Sequence, residues 1–171
     1  MGHIIASSGA HGTGKTTAAH QKVVDLKIAH PDKSVKVLCD LEGECPYPIN
    51  RETSREAQIW LFSNQISTEL SLLASFDIVV TDRTIVDVIA YTQVAGFHDL
   101  ATNMIYFAES YVSIYQQIFF RKIGKNEFCH ADGIRETKDR RFRREVEETM
   151  EALYAMLFMG TREESERLYY A

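Results

Sequence analysis

No apolar run in this chain approaches about 18 residues, the length that spans a bilayer as a helix, so no membrane-spanning segment is expected. Nor does the start of the chain show the charged, apolar and small-residue succession of a secretory signal. Cysteine is scarce. Cys39, Cys45 and Cys129 form no CxxC pair and no even disulfide set, which argues against a disulfide-stapled scaffold and makes a reducing cytoplasm the expected compartment. A zinc site built from Cys39, Cys45, Cys129 and His130 lacks ligand spacing. Basic charge is in the minority, with 19 Lys and Arg against 24 Asp and Glu and a net charge of −5. That balance excludes broad electrostatic capture of nucleic acid, although a local basic patch stays open. Proline occurs three times and each marks a break: Pro31 ends a helical stretch, and Pro46 and Pro48 forbid regular pairing in the segment around them. Internal repeats and low-complexity segments are absent.

What is present is a chain of 171 residues, 45% of them apolar, the size of one domain with a proper core. Its pattern alternates. "HIIAS" reads as a buried strand, Gly14 to about Ala29 as a helix, and "VKVLCD" as a second strand. Thr53 and Glu56 have capping-box spacing ahead of the helix "QIWLFSNQISTELSLLA". "FDIVVTD" is a third strand, and Thr84 with Asp87 caps a helix that ends near Gly96. Met104 to Tyr115 reads as an apolar helix and a candidate dimer face, with core packing as its simpler role. "QQIFF" is a fourth strand, and Arg140 to Phe158 is a helix with Val146, Met150, Leu153, Tyr154 and Leu157 on one stripe. "MLFMG" holds a short fifth strand, and Thr161 with Glu164 caps a last helix. Strands alternating with helices predict the α/β class: three layers, a parallel sheet of about five strands and helices on both faces. Residues 1–171 form a single domain, with residues 124–144, which open on a polar, aperiodic stretch, as a lid.

Between the first strand and first helix stands "GAHGTGKT", Gly9 to Thr16, a complete G-x-x-x-x-G-K-[ST] phosphate-binding loop in the strand–turn–helix context that the motif requires. Glycines Gly9, Gly12 and Gly14 let the backbone wrap a polyphosphate, and the amides of Thr13 to Thr17 add the positive end of the helix. Lys15 brings a point charge to the β and γ phosphates, and the Thr16 hydroxyl can ligate Mg²⁺. His11, at a variable position of the motif, is placed to touch phosphate. Asp82 ends the third strand, where a carboxylate can hold the same magnesium, and Arg83 follows it.

The order of "SSGAHGTGKTT", "VVTDRTIVDVIAY", "ADGIRETKDRRFRREVEETMEALY" and "GTREE" resembles the small P-loop nucleoside and nucleotide kinases. It looks closest to the AAA-type ATP-binding domains related to ribosylnicotinamide kinase, and in plan it is similar to the deoxynucleoside and thymidylate kinases. The resemblance implies ATP and Mg²⁺ as cofactors and a small acceptor of the nucleoside, nucleotide or nicotinamide riboside class. It assigns Asp82 and Arg83 to metal and phosphate. It implies an acid after the second strand as the base for the acceptor hydroxyl: Asp40 first, with Glu42 and Glu44 behind it. It implies that Gln65 reads a base edge, and that Gly160 and Thr161 shape an adenine-wrapping loop through their backbone.

Other residues follow from chemistry alone. Tyr47 can stack on a ring, and Arg51 and Arg55 can meet a phosphate. Arg135, Arg140, Arg141, Arg143 and Arg144 crowd a helix start, where the dipole disfavours cations, so a nearby anion would resolve the conflict. Arg141–Glu145, Arg143–Glu147 and Arg144–Glu148 have pairing spacing, which leaves Arg135 and Arg140 to reach phosphate. "DLEG" also fits the D-x-x-G of GTP-binding switches, but no N-K-x-D for guanine follows the fourth strand. The rival reading from another class is an ATP-dependent switch or interaction module with no small-molecule acceptor.

Overall fold

The computed structural model of the chain describes residues 2–49, 52–124, 140–158 and 167–170. Its element order is β1 (His3–Ser8), α1 (Lys15–Ala29), β2 (Val35–Leu38), α2 (Arg55–Leu73), β3 (Ile78–Thr81), α3 (Ile85–Val94), α4 (His98–Tyr111), β4 (Tyr115–Phe120), α5 (Arg140–Phe158) and β5 (Leu168–Tyr170). The five strands form one sheet in the order β2-β3-β1-β4-β5, and every pairing is parallel. β1 therefore sits at the centre, buried from Ile4 to Ser8, and delivers the phosphate-loop motif to the middle of the sheet edge. Parallel strands covered on both faces read as continuous apolar runs, which is why "HIIAS" and "IVVT" are legible as strands.

Alternate side chains of the strands serve opposite cores. Ile5, Val35, Ile78 and Val80 pack with Ala19 of α1 on one face. Ile4, Ala6, Val79, Ile118 and Phe120 meet the larger cluster that includes Ile85, Val86 and Ile89 of α3 and Val146, Met150 and Tyr154 of α5. Among the described residues, no helix is long and apolar enough to cross a membrane.

Several boundaries differ from the sequence expectation. The cap of α2 is Ser54, whose side chain accepts from the Ala57 amide, while the Thr53 hydroxyl accepts from the Gln58 side chain. The capping box of Thr84 and Asp87 is formed as expected. α4 begins six residues before Met104, at His98, and ends at Tyr111; a 3-10 turn over Val112–Ile114 follows, and Tyr115 opens β4. On α4, Met104, Ala108 and Tyr111 are buried, whereas Tyr106 and Phe107 are exposed. "MLFMG" is not the fifth strand: Met156 to Phe158 complete α5, whose amphipathic stripe carries on to Phe158, and β5 is Leu168–Tyr170. The helix expected at Thr161 and Glu164 lies outside the described residues, as do residues 125–139 of the expected lid.

A buried acid lies beneath the sheet edge. Glu69 of α2 is fully buried and accepts from Gln65 Nε2 (2.7 Å), Tyr111 Oη (2.8 Å) and Tyr115 Oη (3.0 Å). Burial pushes its carboxyl up to about 7, against those three hydrogen bonds, which favour the ion. The folded chain thus keeps a proton that the unfolded chain releases near 4.5, so this group makes stability fall as pH rises from about 4.5 to about 7. The Glu69→Gln variant is expected to lose that slope, about 3 kcal/mol across the window. Urea unfolding midpoints measured from pH 4.5 to 8 check it, and an unchanged slope refutes it.

Candidate active site

The phosphate loop leaves β1 through a peptide unit that tolerates only glycine. Gly9 has φ of +141°, and a Cβ added there would lie 2.4 Å from the Arg121 carbonyl oxygen. The Ser8 carbonyl accepts from the Arg121 amide (2.8 Å), which fastens the root of the loop to β4. Gly14 caps α1 at φ 77°, a left-handed turn that aims the first amides of the helix back into the loop. Lys15 is 7% exposed, and its Nζ donates to the Ala10 carbonyl (2.9 Å) across the loop. Thr13 Oγ1 donates to the same carbonyl, while Arg121 Nε donates to the Thr13 carbonyl (3.0 Å). Thr17 stands exposed on the first turn of α1.

Asp82 sits immediately beyond β3, beside the loop, because β3 is the direct neighbour of β1. Thr16 Oγ1 donates to Asp82 Oδ2 at 2.5 Å. Burial raises the Asp82 carboxyl above the ordinary aspartate range, and the Thr16 hydrogen bond works against this. A hydroxyl and a buried carboxylate converging at a phosphate loop are hard oxygen donors of the kind that Mg²⁺ takes, and a cation there would offset the burial of the charge. Thr16 and Asp82 therefore fit the ion.

Next to this pair lies the acid–arginine pair of the site. Arg83 Nη2 donates to Glu42 Oε1 at 2.8 Å, with side-chain exposures of only 11% and 9%. Burial opposes the Arg83 charge, but Glu42 and Asp87 outweigh it and hold the guanidinium above its ordinary value. Arg83 also stands 5.9 Å over the Tyr91 ring. Burial pushes the Tyr91 hydroxyl up to about 12, so it stays neutral. Together with His11, Ile49, Thr53, Gln58 and Leu61, these three residues line a cleft of about 40 Å³. The cleft is shared: His11 belongs to the phosphate loop, and both its amide and its Nδ1 meet Tyr91 Oη at 2.9 Å. Gln58 is 3% exposed, with Nε2 donating to Thr53 Oγ1 (2.8 Å) and Oε1 accepting from Thr92 Oγ1 (3.1 Å).

The sequence-based candidates are thus partly gathered and partly scattered. Gly9, His11, Gly12, Thr13, Gly14, Lys15, Thr16, Asp82 and Arg83 share one corner of the sheet edge. Asp40 adopts φ of 60° and is exposed, and its carbonyl accepts from the Gly43 amide. The 3-10 turn Leu41–Glu44 that it opens presents Glu42, not Asp40, to the cleft. Gln65 is 1% exposed and lies beneath the site, donating to Glu69, to Thr81 Oγ1 and to the Arg83 carbonyl; Gln58, seven residues earlier on the same helix, lines the cleft instead. Tyr47 lines an open surface groove with Ile59 and Trp60, apart from the cleft. Arg55 is spent on a two-pronged pair with Asp99 on the surface. Arg140 is exposed and faces a surface groove with Arg141, Arg144, Glu145 and Glu148. Arg143 does not pair with Glu147: it is 1% exposed and its Nε donates to the His11 carbonyl (2.9 Å), while Glu147 accepts from the Ile123 amide. Arg51, Arg135, Gly160 and Thr161 lie outside the described residues. Burial, with Asp82 and Asp40 beside it, pushes the thiol of half-buried Cys39 up from its ordinary value, which disfavours the thiolate.

Sequence reasoning passed over Gln58 and Tyr91, gave Asp87 only the capping of its helix, and read Arg143 as one of the cluster's arginines paired with Glu147. For Arg143 a signal existed: it stands three residues before Val146 and seven before Met150, on the buried stripe of α5.

No protein-family model matches the sequence, and no curated protein matches it. Among solved structures the chain is similar to the deoxyadenosine kinase of M. mycoides with its products dCMP and dCDP, at a TM-score of 0.63 and 13% identity, covering 98% of this chain and 88% of that one. It is similar to the M. mycoides deoxyadenosine kinase with dATP bound, at 0.59 and 15%, covering 99% and 90%. A thymidylate kinase from Candida albicans follows at 0.55 and 15%, covering 99% and 83%. What is shared at such identities is architecture, and the fold of this chain is that of the P-loop nucleoside and nucleotide kinases.

Proposed function

We propose that this chain is a phosphotransferase that moves the γ-phosphoryl of MgATP to a hydroxyl of a small nucleoside-class acceptor, a nucleoside or nicotinamide riboside. The observation that carries the reading is the buried Glu42–Arg83 pair, 2.8 Å apart, facing a cleft that the phosphate loop itself lines through His11. A hydroxyl acceptor needs a base beside the transferring phosphoryl, and a cleft-lining carboxylate held in place by a hydrogen bond from its own guanidinium is positioned for that task. Arg83 is the sole Lys or Arg among the described residues lining the cleft and Glu42 pairs with it, so the lining offers a phosphomonoester no net positive charge, which favours a nucleoside over a nucleotide as acceptor.

The chain's own residues divide the work. The amides from Thr13 to Thr17 and the start of α1 bind the phosphates, and Lys15 exchanges its contact with Ala10 for phosphate oxygen. Thr16 and Asp82 hold magnesium, which supplies positive charge at the phosphates. Arg83 orients Glu42 and adds charge beside the transferring group. Glu42 accepts the proton of the acceptor hydroxyl as its oxygen bonds to the γ phosphorus; the bond from that phosphorus to the β–γ bridging oxygen breaks and ADP leaves. Gln58 and Thr53 offer hydrogen bonds to the acceptor. A ring-sized acceptor requires the Ile49 and Thr53 wall to move outward on entry.

The test is ADP formation from MgATP with a panel of nucleosides, nicotinamide riboside and nucleoside monophosphates. ADP release that depends on a nucleoside is the expected result. Slow release that is the same with and without every acceptor overturns the reading in favour of a switch that hydrolyses ATP. Dependence on monophosphates alone overturns the acceptor class.

A further inference from the structure

The peptide unit between Ser8 and Gly9 is where β1 becomes the phosphate loop, and both of its polar ends are held. Its carbonyl is fixed by the Arg121 amide (2.8 Å), one residue beyond β4. Its amide is fixed by a side chain: Gly9 N donates to Asp87 Oδ1 at 3.2 Å. Asp87 is 1% exposed and belongs to α3. Its other oxygen, Oδ2, accepts from Ser8 Oγ (2.7 Å), the Thr84 amide (3.0 Å) and Thr84 Oγ1 (2.7 Å). Tyr154 of α5 closes the cluster, its hydroxyl 2.7 Å from both Ser8 Oγ and Thr84 Oγ1.

A carboxylate in this position does more than a capping box requires. The cap needs only Oδ2 and Thr84. The Oδ1 bond reaches across 78 residues to the first glycine of the loop and is not part of the cap. Burying a charge is costly unless it is fully hydrogen-bonded, and here the bonding is spent on the junction of strand and loop. The same carboxylate holds Thr84, the residue after Arg83, so one group fixes the loop root and the turn that carries Asp82 and Arg83.

We propose that Asp87 is a positioning residue of the phosphate loop: it sets the plane of the Ser8–Gly9 peptide, and through it the aim of the amides that bind the nucleotide. The proposal rests on the reading of the loop as an MgATP site. Asp87 touches neither phosphate nor acceptor; it acts through Gly9.

Two variants test it. Asp87→Asn keeps an oxygen for the Thr84 and Ser8 side, so α3 stays capped, but turns an N–H donor toward the Gly9 N–H. Asp87→Ser keeps a hydroxyl for the cap and leaves Gly9 without its acceptor. Binding is measured by calorimetry with magnesium and the non-hydrolysable β,γ-imido analogue of ATP. The Gly9 amide resonance is followed by ¹⁵N NMR, and binding of whichever panel nucleoside supports turnover is measured without nucleotide. The expected result in each variant is a Kd for the nucleotide about ten- to a hundredfold weaker, a displaced Gly9 resonance and nucleoside binding within about twofold of wild type. Folded variants that bind the nucleotide like wild type overturn the proposal. Parallel loss of nucleotide binding, nucleoside binding and thermal stability also overturns it, because that marks a purely structural role. If wild type itself does not bind the analogue, the MgATP reading fails instead.

Discussion

Glu42→Gln is expected to lower kcat for phosphoryl transfer by about 10²- to 10⁴-fold, the usual worth of a positioned general base, while MgATP binds as before. The variant keeps an oxygen for Arg83 Nη2 and so keeps the guanidinium placed, but an amide cannot take the hydroxyl proton. Asp40→Asn, two residues earlier, is expected to leave turnover near wild type, because the Asp40 side chain is exposed and Asp40 is not among the residues lining the cleft. Steady-state rates with the best acceptor from the panel, together with calorimetric MgATP affinity, decide the matter. If Asp40→Asn abolishes transfer and Glu42→Gln spares it, the base is assigned to the wrong carboxylate. If MgATP affinity falls with kcat in Glu42→Gln, the residue serves nucleotide binding rather than proton transfer.

Gly9→Ala is expected to abolish MgATP binding and to destabilise the fold. An alanine at φ +141° occupies a region essentially reserved for glycine, at a cost of about 1–3 kcal/mol. Its methyl would also sit 2.4 Å from the Arg121 carbonyl oxygen, a backbone atom that cannot swing away. Relief requires the loop root to leave β4, which breaks the bond from the Arg121 amide to the Ser8 carbonyl. The Gly14→Ala variant provides the contrast: its methyl would meet nothing within 4 Å, so only the left-handed backbone is strained. Thermal unfolding with and without MgATP distinguishes the two. A Gly9→Ala protein with wild-type nucleotide affinity refutes the argument.

The central strand, the phosphate loop and the Asp82–Arg83 pair are legible in the sequence because each is a local pattern: an apolar run, fixed glycine spacing, an acid at a strand end. The capping box of Thr84 and Asp87 is legible for the same reason. The Oδ1 contact of Asp87 to Gly9 is not, because it depends on where α3 lies against β1. Glu42 and Asp40 are two residues apart, and which of them faces the cleft is settled by one left-handed residue and one 3-10 turn. Gln58 and Gln65 pose the same difficulty. Both lie on the buried side of α2, and only the path of that helix past the sheet edge shows that one lines the cleft and the other binds Glu69. The end of α5 at Phe158 is legible, but the fifth strand is not: "MLFMG" is apolar because its first residues close the amphipathic helix, whereas β5 is a three-residue strand with two exposed tyrosines.

Arg143 and Tyr154 are eleven residues apart on α5, close to three full turns and about 16 Å of rise. One reaches the His11 carbonyl and the other the Ser8 hydroxyl. A single helix thus braces the phosphate loop at two places, His11 and Ser8. Slipping it by one residue would turn both handholds away together by about 100°, so nature can lengthen this helix beyond either grip but not between them.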